Sequence, residues 1–136
     1  MAIQGHCNCG TVTIEVAATP DTIALCSCTS CRASSGSLFS VNLVVPAEQL
    51  TITSGEGNVT EYDDKNTDSG HTATRRFCRT CGSAISTVVK ENPGTHYVKG
   101  GLFPPGTLPP AKLEIFKRNW ESWQKPQTEQ QLEGGL

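Results

Sequence analysis

Seven cysteines, gathered in three short groups, restrict what this chain can fold into more than any other feature. The groups are Cys7-Asn8-Cys9, Cys26-Ser27-Cys28-Thr29-Ser30-Cys31 and Cys78-Arg79-Thr80-Cys81. Three thiols within six residues suit a metal ion, a disulfide with a spare thiol, or redox chemistry. Three thiolates fill three corners of a zinc tetrahedron, and zinc sites with an open fourth position are the catalytic kind. We therefore predict that Cys26, Cys28 and Cys31 hold a catalytic zinc ion.

The other two groups each supply a closely spaced pair of thiols, Cys7 with Cys9 and Cys78 with Cys81. Two such pairs, separated by a long segment, are typical of a closed four-thiolate site, and structural zinc contributes on the order of 10 kcal/mol to small zinc domains. The alternative is that one pair is merely buried, because cysteine is among the most buried residues. Spacing alone does not decide which pairs combine, but it favours a structural zinc site.

A closed second site is the alternative to an open one. A histidine or an acid would then complete the middle group, and His6, His71 and His96 are the candidates. Neither a histidine nor an aspartate lies at close zinc-ligand spacing to the triplet. The sequence therefore favours the open site, with a distant histidine as the competing hypothesis.

The charge of the triplet limits its chemistry. Three thiolates give a zinc centre a net charge near −1, which makes it a poorer Lewis acid than the three-imidazole centres that hydrolyse substrates. Zinc does keep a coordinated thiol deprotonated at neutral pH, and so makes it an available nucleophile. Addition of a thiol to a carbonyl carbon, or the reverse cleavage of a carbon–sulfur bond, suits such a centre.

Charge and hydropathy argue against several other classes of protein. The 136 residues carry a net charge of −2 without a block of Lys and Arg, so we expect no nucleic-acid partner. No apolar stretch approaches the length that crosses a bilayer, and residues 1–6 lack the basic flank and apolar run of a secretory signal. Cysteines without such a signal indicate reduced thiols. We expect a cytoplasmic protein with no membrane partner.

Short apolar alternations predict a mainly β fold. Strands are predicted for residues 11–16, 22–26, 38–45, 50–52, 59–62, 71–77, 84–89, 96–99 and 111–116. Residues 34–37 and the polar segment 63–70 are typical of loops, the second one solvated and mobile. From residue 126 the chain is polar and without a period. We therefore predict one domain over residues 1–125, followed by a disordered tail over residues 126–136.

Three motifs together resemble the glutathione-dependent formaldehyde-activating enzyme (GFA) family, also known as the CENP-V/GFA domain. They are Gly5-His6-Cys7-Asn8-Cys9-Gly10, the segment from Cys26 to Gly36, and Arg76-Phe77-Cys78-Arg79-Thr80-Cys81-Gly82. The resemblance runs from about Gly5 to Trp120 and is far more specific than a single CxxC pair. It implies a β-tent fold of small antiparallel sheets stapled by zinc.

The resemblance also implies an activity and a set of ligands. It places a structural zinc on Cys7, Cys9, Cys78 and Cys81, and a catalytic, labile zinc on Cys26, Cys28 and Cys31. The family reaction joins glutathione to formaldehyde as S-hydroxymethylglutathione, so the expected enzyme is a carbon–sulfur lyase or synthase acting on glutathione or a similar thiol.

Glutathione carries two carboxylates, so its pocket should offer cations. Arg32, next to the third thiol of the triplet, is the first candidate, followed by Arg76, Lys99 and Arg118. Phe39 is a candidate for the pocket wall, although its place in an alternating strand also suits the core.

Two alternative functions are also considered. Some β-tent relatives are zinc modules that bind proteins without catalysis, and a saturated second site would favour that function. The same fold occurs in methionine sulfoxide reductase B, which requires a redox-active cysteine outside the metal sites. No cysteine is left for that role once all seven are assigned.

Overall fold

The alternating segments of the sequence form strands in the structure, a computed structural model that describes all 136 residues. The strands are β1 (Ile3–His6), β2 (Thr13–Val16), β3 (Ile23–Cys26), β4 (Ser40–Pro46), β5 (Leu50–Ser54), β6 (Val59–Asp64), β7 (Ala73–Cys78), β8 (Ala84–Val89), β9 (Asn92–Lys99), β10 (Leu113–Ile115) and β11 (Gln130–Gln131). The predicted mainly β class is confirmed.

Helical structure is limited to one α-helix and four short 3₁₀ turns. The helix is α1 (Thr29–Ser35), and the turns are Ala47–Gln49, Glu56–Asn58, Gly100–Leu102 and Lys117–Asn119. Helix α1 contains seven residues, whereas a helix needs about 20 to cross a bilayer. No helix of this chain is long and apolar enough to do so.

The strands are arranged in two sheets. A three-stranded antiparallel sheet has the order β1-β2-β5, and an eight-stranded sheet has the order β11-β10-β3-β4-β9-β8-β7-β6. In the larger sheet, β10 is parallel to both β3 and β11, while the other neighbouring strands are antiparallel. The parallel pairs were not expected, because these very short strands reach their places through long connections that leave no local pattern.

Both faces of the larger sheet are covered in the region of β3, where all four residues are buried. Ile23 joins the main core, which also contains Ile14 of the smaller sheet and Leu43 of β4. The next residue, Ala24, belongs to a second apolar cluster together with Cys26. Since side chains alternate along a strand, β3 supplies the main core with one face and the cysteine triplet with the other.

The C-terminal segment differs from the expected disordered tail over residues 126–136. Part of it forms β11 beside β10, and further backbone hydrogen bonds run from Phe116 N to Gly134 O and from Lys117 N to Leu132 O. Glu114 is 4% exposed and anchors the start of the segment. Its carboxylate accepts hydrogen bonds of 2.8 to 3.1 Å from Gln127 N, Thr128 N and Thr128 Oγ1. The sequence pattern does not reveal this order, because the segment is held by backbone groups and one buried carboxylate.

Two cysteine clusters and the cavity beside one of them

Four sulfur atoms meet where two similar turns approach each other. Cys7 and Cys9 lie in the turn after β1, while Cys78 ends β7 and Cys81 lies in the turn that follows it. Their Sγ atoms all lie within 4.8 Å of one another. We call this group the four-cysteine cluster.

Each of the two turns is closed by a hydrogen bond from the glycine that follows its second cysteine to the carbonyl of its first cysteine. Gly10 N donates to Cys7 O at 3.0 Å, and Gly82 N donates to Cys78 O at 2.9 Å. Both glycines have a positive φ, 80° and 75° respectively, which other residues rarely adopt. Each turn, with CxC spacing in the first and CxxC spacing in the second, therefore places its second cysteine back towards the first, as a metal-binding turn requires.

The donor set of the four-cysteine cluster suits a tetrahedral metal ion. Cys9 Sγ lies 3.6 Å from Cys7 Sγ and 3.7 Å from Cys78 Sγ. Four sulfurs bound to zinc at about 2.3 Å would be about 3.8 Å apart, so the spacing fits. Val12 N and Asn58 Nδ2 each donate a hydrogen bond of 3.3 Å to Cys7 and Cys78, respectively. Hydrogen bonding with the side chain and the backbone of Ser83 lowers the pKa of Cys81 to about 5.

The second cluster consists of Cys26, Cys28 and Cys31, whose Sγ atoms also lie within 4.8 Å of one another. We call it the triplet. Cys26 ends β3, Cys28 is the N-cap of α1, and Cys31 lies one turn further on. All seven cysteines are free thiols. The sequence did not predict α1, because its seven residues are mostly Ser, Thr and Cys, which are poor helix formers.

The triplet has no fourth protein ligand. The group of potential ligands contains no histidine and no carboxylate beyond the three cysteines. Of the three candidate histidines, only His71 lines the same cavity, and its Nδ1 faces Glu91 at 3.7 Å. The Nδ1 atom of His6 contacts the carbonyl of Cys7, and His96 lies on β9 outside the cavity lining. The three thiols therefore converge without a capping side chain.

A bound cation would stabilise the ionised form of the three triplet thiols. Hydrogen bonds from Cys26 and Cys28 lower the pKa of Cys31, and the nearby Lys99 ammonium adds to this effect. Hydrogen bonding with Cys28 and Cys31, together with burial, raises the pKa of Cys26 far above its usual range. The three crowded thiols thus cannot all ionise by themselves, whereas a divalent cation would neutralise three thiolates.

A loop from another part of the chain holds helix α1 in place through hydrogen bonds. Asp68 accepts hydrogen bonds of 2.9 Å from Thr29 N and from Thr29 Oγ1. Asn119 Nδ2 donates to Asp68 Oδ2 at 3.0 Å and to Ser27 O at 3.1 Å. The prediction of a solvated, mobile loop over residues 63–70 is therefore wrong at Asp68, which the hydrogen bonds to Thr29 keep at a lowered pKa.

The triplet opens into a cavity of about 210 Å³ between α1, the larger sheet and the C-terminal segment. The polar residues on the sheet side include Asn42 on β4, Arg75 on β7, Thr87 on β8 and Lys99 on β9. Apolar walls come from Tyr97, Ile115 and other residues, and Gly135 and Leu136 reach its edge.

Two cations, the buried Arg75 and the half-buried Lys99, approach the triplet from the sheet. Arg75 Nε pairs with Asp64 Oδ2 at 2.9 Å, and Arg75 Nη2 donates to Ser30 Oγ at 2.8 Å. Lys99 Nζ donates to Asn42 Oδ1 at 2.6 Å. Positive charge next to three thiolates offsets their mutual repulsion.

The two residues expected to contact a substrate lie elsewhere. Arg32 forms an ion pair with Glu121 at 2.7 Å and donates to Asn119 O at 3.0 Å. Phe39 is only partly buried, just before β4. Neither residue lines the cavity of the triplet. Among the cations named from the sequence, Lys99 does line it, while Arg75 had no signal beyond its place in a strand.

Fold and clusters together describe a mainly β protein with two separate cysteine groups, one closed by its own sulfurs and one open to a cavity. A family model described as "Glutathione-dependent formaldehyde-activating enzyme" matches residues 2–119. The chain belongs to this family, as the three motifs predicted. A solved crystal structure of a Rhodobacter sphaeroides protein from a structural-genomics programme is similar, with 28% identity and a TM-score of 0.61, and the match covers 79% of this chain and 92% of that one.

Proposed function

We propose that this protein forms or cleaves a carbon–sulfur bond in a thiol adduct, with glutathione or a glutathione-type thiol as the sulfur compound. The observation that carries the proposal is the triplet, whose three buried thiols converge in a cavity without a fourth protein ligand. Membership in the formaldehyde-activating family supports the same chemistry.

In this proposal the two clusters have different roles. Cys7, Cys9, Cys78 and Cys81 hold a structural zinc ion, and Cys26, Cys28 and Cys31 hold a catalytic one. Zinc at the triplet, when bound, would keep a substrate thiol deprotonated at neutral pH and thereby supply a sulfur nucleophile. The end of β3 and helix α1 position the three ligands, and hydrogen bonds from Thr29 and Asn119 to Asp68 orient this segment.

The remaining residues bind and shield the reactants. Arg75 and Lys99 hold positive charge beside the sulfurs, which favours the entry of an anionic thiolate. The apolar wall around Tyr97 and Ile115 limits water. In the synthetic direction the thiolate sulfur bonds to the aldehyde carbon, and the carbonyl oxygen takes up a proton to become a hydroxyl. Because this chemistry needs reduced thiols, the cytoplasm is the proposed location.

A single substitution tests the proposal. Cys28→Ser removes one sulfur of the triplet, but serine is a preferred N-cap residue and should preserve α1. We expect the wild type to contain two zinc ions per chain and to turn over the glutathione–formaldehyde adduct. The variant should contain one zinc ion, remain folded and lose turnover.

Metal analysis and a turnover assay on both proteins provide the measurements. A wild type that contains two zinc ions, but turns over no thiol adduct tested and shows no thiol-dependent change at the metal, would contradict the proposal. The non-catalytic alternative would then be favoured. At present nothing in the triplet favours it, because no side chain saturates the site.

A further inference from the structure

Two buried polar atoms in the wall of the triplet's cavity have no hydrogen-bond partner. They are Nη1 of Arg75 and Oγ1 of Thr87, which belong to residues that are 9% and 7% exposed. Buried polar groups are nearly always hydrogen-bonded, because an unpaired one costs about 1 to 3 kcal/mol. Two such atoms in one wall therefore point to a ligand that supplies the acceptor.

The sheet register brings the two residues together. Arg75 on β7 is directly opposite Thr87 on β8. The guanidinium is already fixed, since Nε is bound to Asp64 and Nη2 to Ser30. Its remaining nitrogen, Nη1, is thus held in place rather than free to rotate away. A fixed donor beside a hydroxyl is preorganised for an oxygen anion.

A second cavity shares this wall. It has a volume of about 300 Å³ and, like the cavity of the triplet, it is lined by Arg75, Thr87 and Lys99. Arg76 adds a third cation to its lining, which contains no aspartate or glutamate. The second cavity is therefore lined by cations without acids, although Arg75 itself also faces Asp64 and Cys31. The space is large enough for the body of a small molecule.

We propose that Arg75 and Thr87 bind a carboxylate of the thiol substrate, so that this protein selects thiols that carry a carboxylate. The inference rests on the proposed function, because the substrate sulfur is taken to lie at the triplet. The carboxylate then accepts hydrogen bonds from Arg75 Nη1 and Thr87 Oγ1, with Lys99 adding positive charge. The remainder of a larger thiol extends into the second cavity. Arg75 and Thr87 are specificity-determining residues and do not touch the reacting carbon.

A pair of thiols that differ in the carboxylate tests this inference. Calorimetric titration of the zinc-loaded full chain gives the Kd of 3-mercaptopropionate and of 2-mercaptoethanol. Hydrogen bonds to a charged group are stronger than those between neutral groups. We therefore expect the wild type to bind 3-mercaptopropionate at least about tenfold more tightly.

The test variant is Thr87→Val, which is nearly isosteric and removes the unpaired hydroxyl. We expect it to weaken 3-mercaptopropionate by about tenfold, to leave 2-mercaptoethanol unchanged, and to unfold at the same or a higher temperature. Arg75→Lys, which keeps a cation beside Asp64, should lose the same discrimination. Thr51→Val is the matched control, since Thr51 is an exposed strand residue of the smaller sheet; both Kd values should stay at the wild-type level.

The outcomes separate this inference from the function on which it rests. If both thiols bind the wild type and neither Thr87→Val nor Arg75→Lys changes their ratio, the carboxylate site is overturned while the thiol site stands. Equal weakening of both thiols by Thr87→Val also overturns it. If neither thiol binds the wild type, the proposed function fails, and the carboxylate site fails with it.

Discussion

The two cysteine clusters use the same ligand type in different surroundings. The four-cysteine cluster is built from two similar turns, and its sulfurs contact one another and nearby backbone or side-chain donors. The triplet lies between a strand end and a helix, and distant residues support it. Four ligands complete a tetrahedron, whereas three leave room for a substrate. The two clusters therefore differ in the number of sulfurs that they offer to a metal ion, four in one and three in the other.

The largest difference between the clusters should appear on loss of one sulfur from each. Cys78→Ser should abolish folding, because a structural zinc site contributes on the order of 10 kcal/mol and the whole stability of a domain is about 5 to 15 kcal/mol. Far-ultraviolet circular dichroism and zinc content measure the result. Cys28→Ser is the matched variant and should retain the fold. Two equally unfolded variants would remove the distinction between the clusters.

The second-largest difference between the two clusters should appear when a chelator removes the metal. A chelator should take the zinc proposed for the triplet first, because that site has three protein ligands and opens into a cavity. The zinc proposed for the four-cysteine cluster should leave only as the protein unfolds, even though Cys9 is exposed, because four protein ligands would hold it. Zinc release followed with a colorimetric indicator, alongside circular dichroism, measures both steps. Release of both ions in one step with unfolding would contradict this order.

Breaking the buried ion pair of Arg75 and Asp64, which lies beside the triplet, should lower the free energy of unfolding more than breaking a surface ion pair. Arg75→Met leaves the Asp64 carboxylate buried without its partner, and breaking a buried pair costs about 3 to 5 kcal/mol. The matched control is Lys90→Met, which breaks the exposed pair of Lys90 and Asp63 at 2.7 Å and should change stability little. Denaturant unfolding of both variants gives the free energies. Similar losses would show that burial of the Arg75 pair is unimportant.

The smallest effect on stability is expected from the loss of Glu114, which anchors the C-terminal segment at the edge of the cavity. Glu114→Ala removes the acceptor of three hydrogen bonds from residues 127 and 128. We expect a loss of about 1 to 3 kcal/mol in unfolding free energy, faster amide hydrogen exchange over residues 126–136, and unchanged zinc content. Hydrogen exchange by mass spectrometry measures the tail directly. Glu129→Ala, an exposed residue of the same segment, is the control and should exchange as the wild type does.

Local sequence patterns predicted many of the strands. Short apolar segments predicted β2, β3, β4 and β8 close to their observed bounds. The period of two that a half-buried strand imposes is clear in β2, whereas all four residues of β3 are buried. Strand β1 and helix α1 gave no such signal. The order of strands was also invisible, since a parallel pair such as β3 with β10 depends on contacts between distant segments.

Of the candidate site, the sequence determined the grouping of the seven sulfurs, because closely spaced cysteines must lie close together in any fold. It named the family through three short motifs. Only the tertiary structure decided what surrounds the triplet: it turned Arg32 towards Glu121, and placed Arg75, Thr87 and Lys99 beside the thiols. The physical reason is that those three residues lie on three different strands. They share a cavity wall only once β7, β8 and β9 are hydrogen-bonded in register.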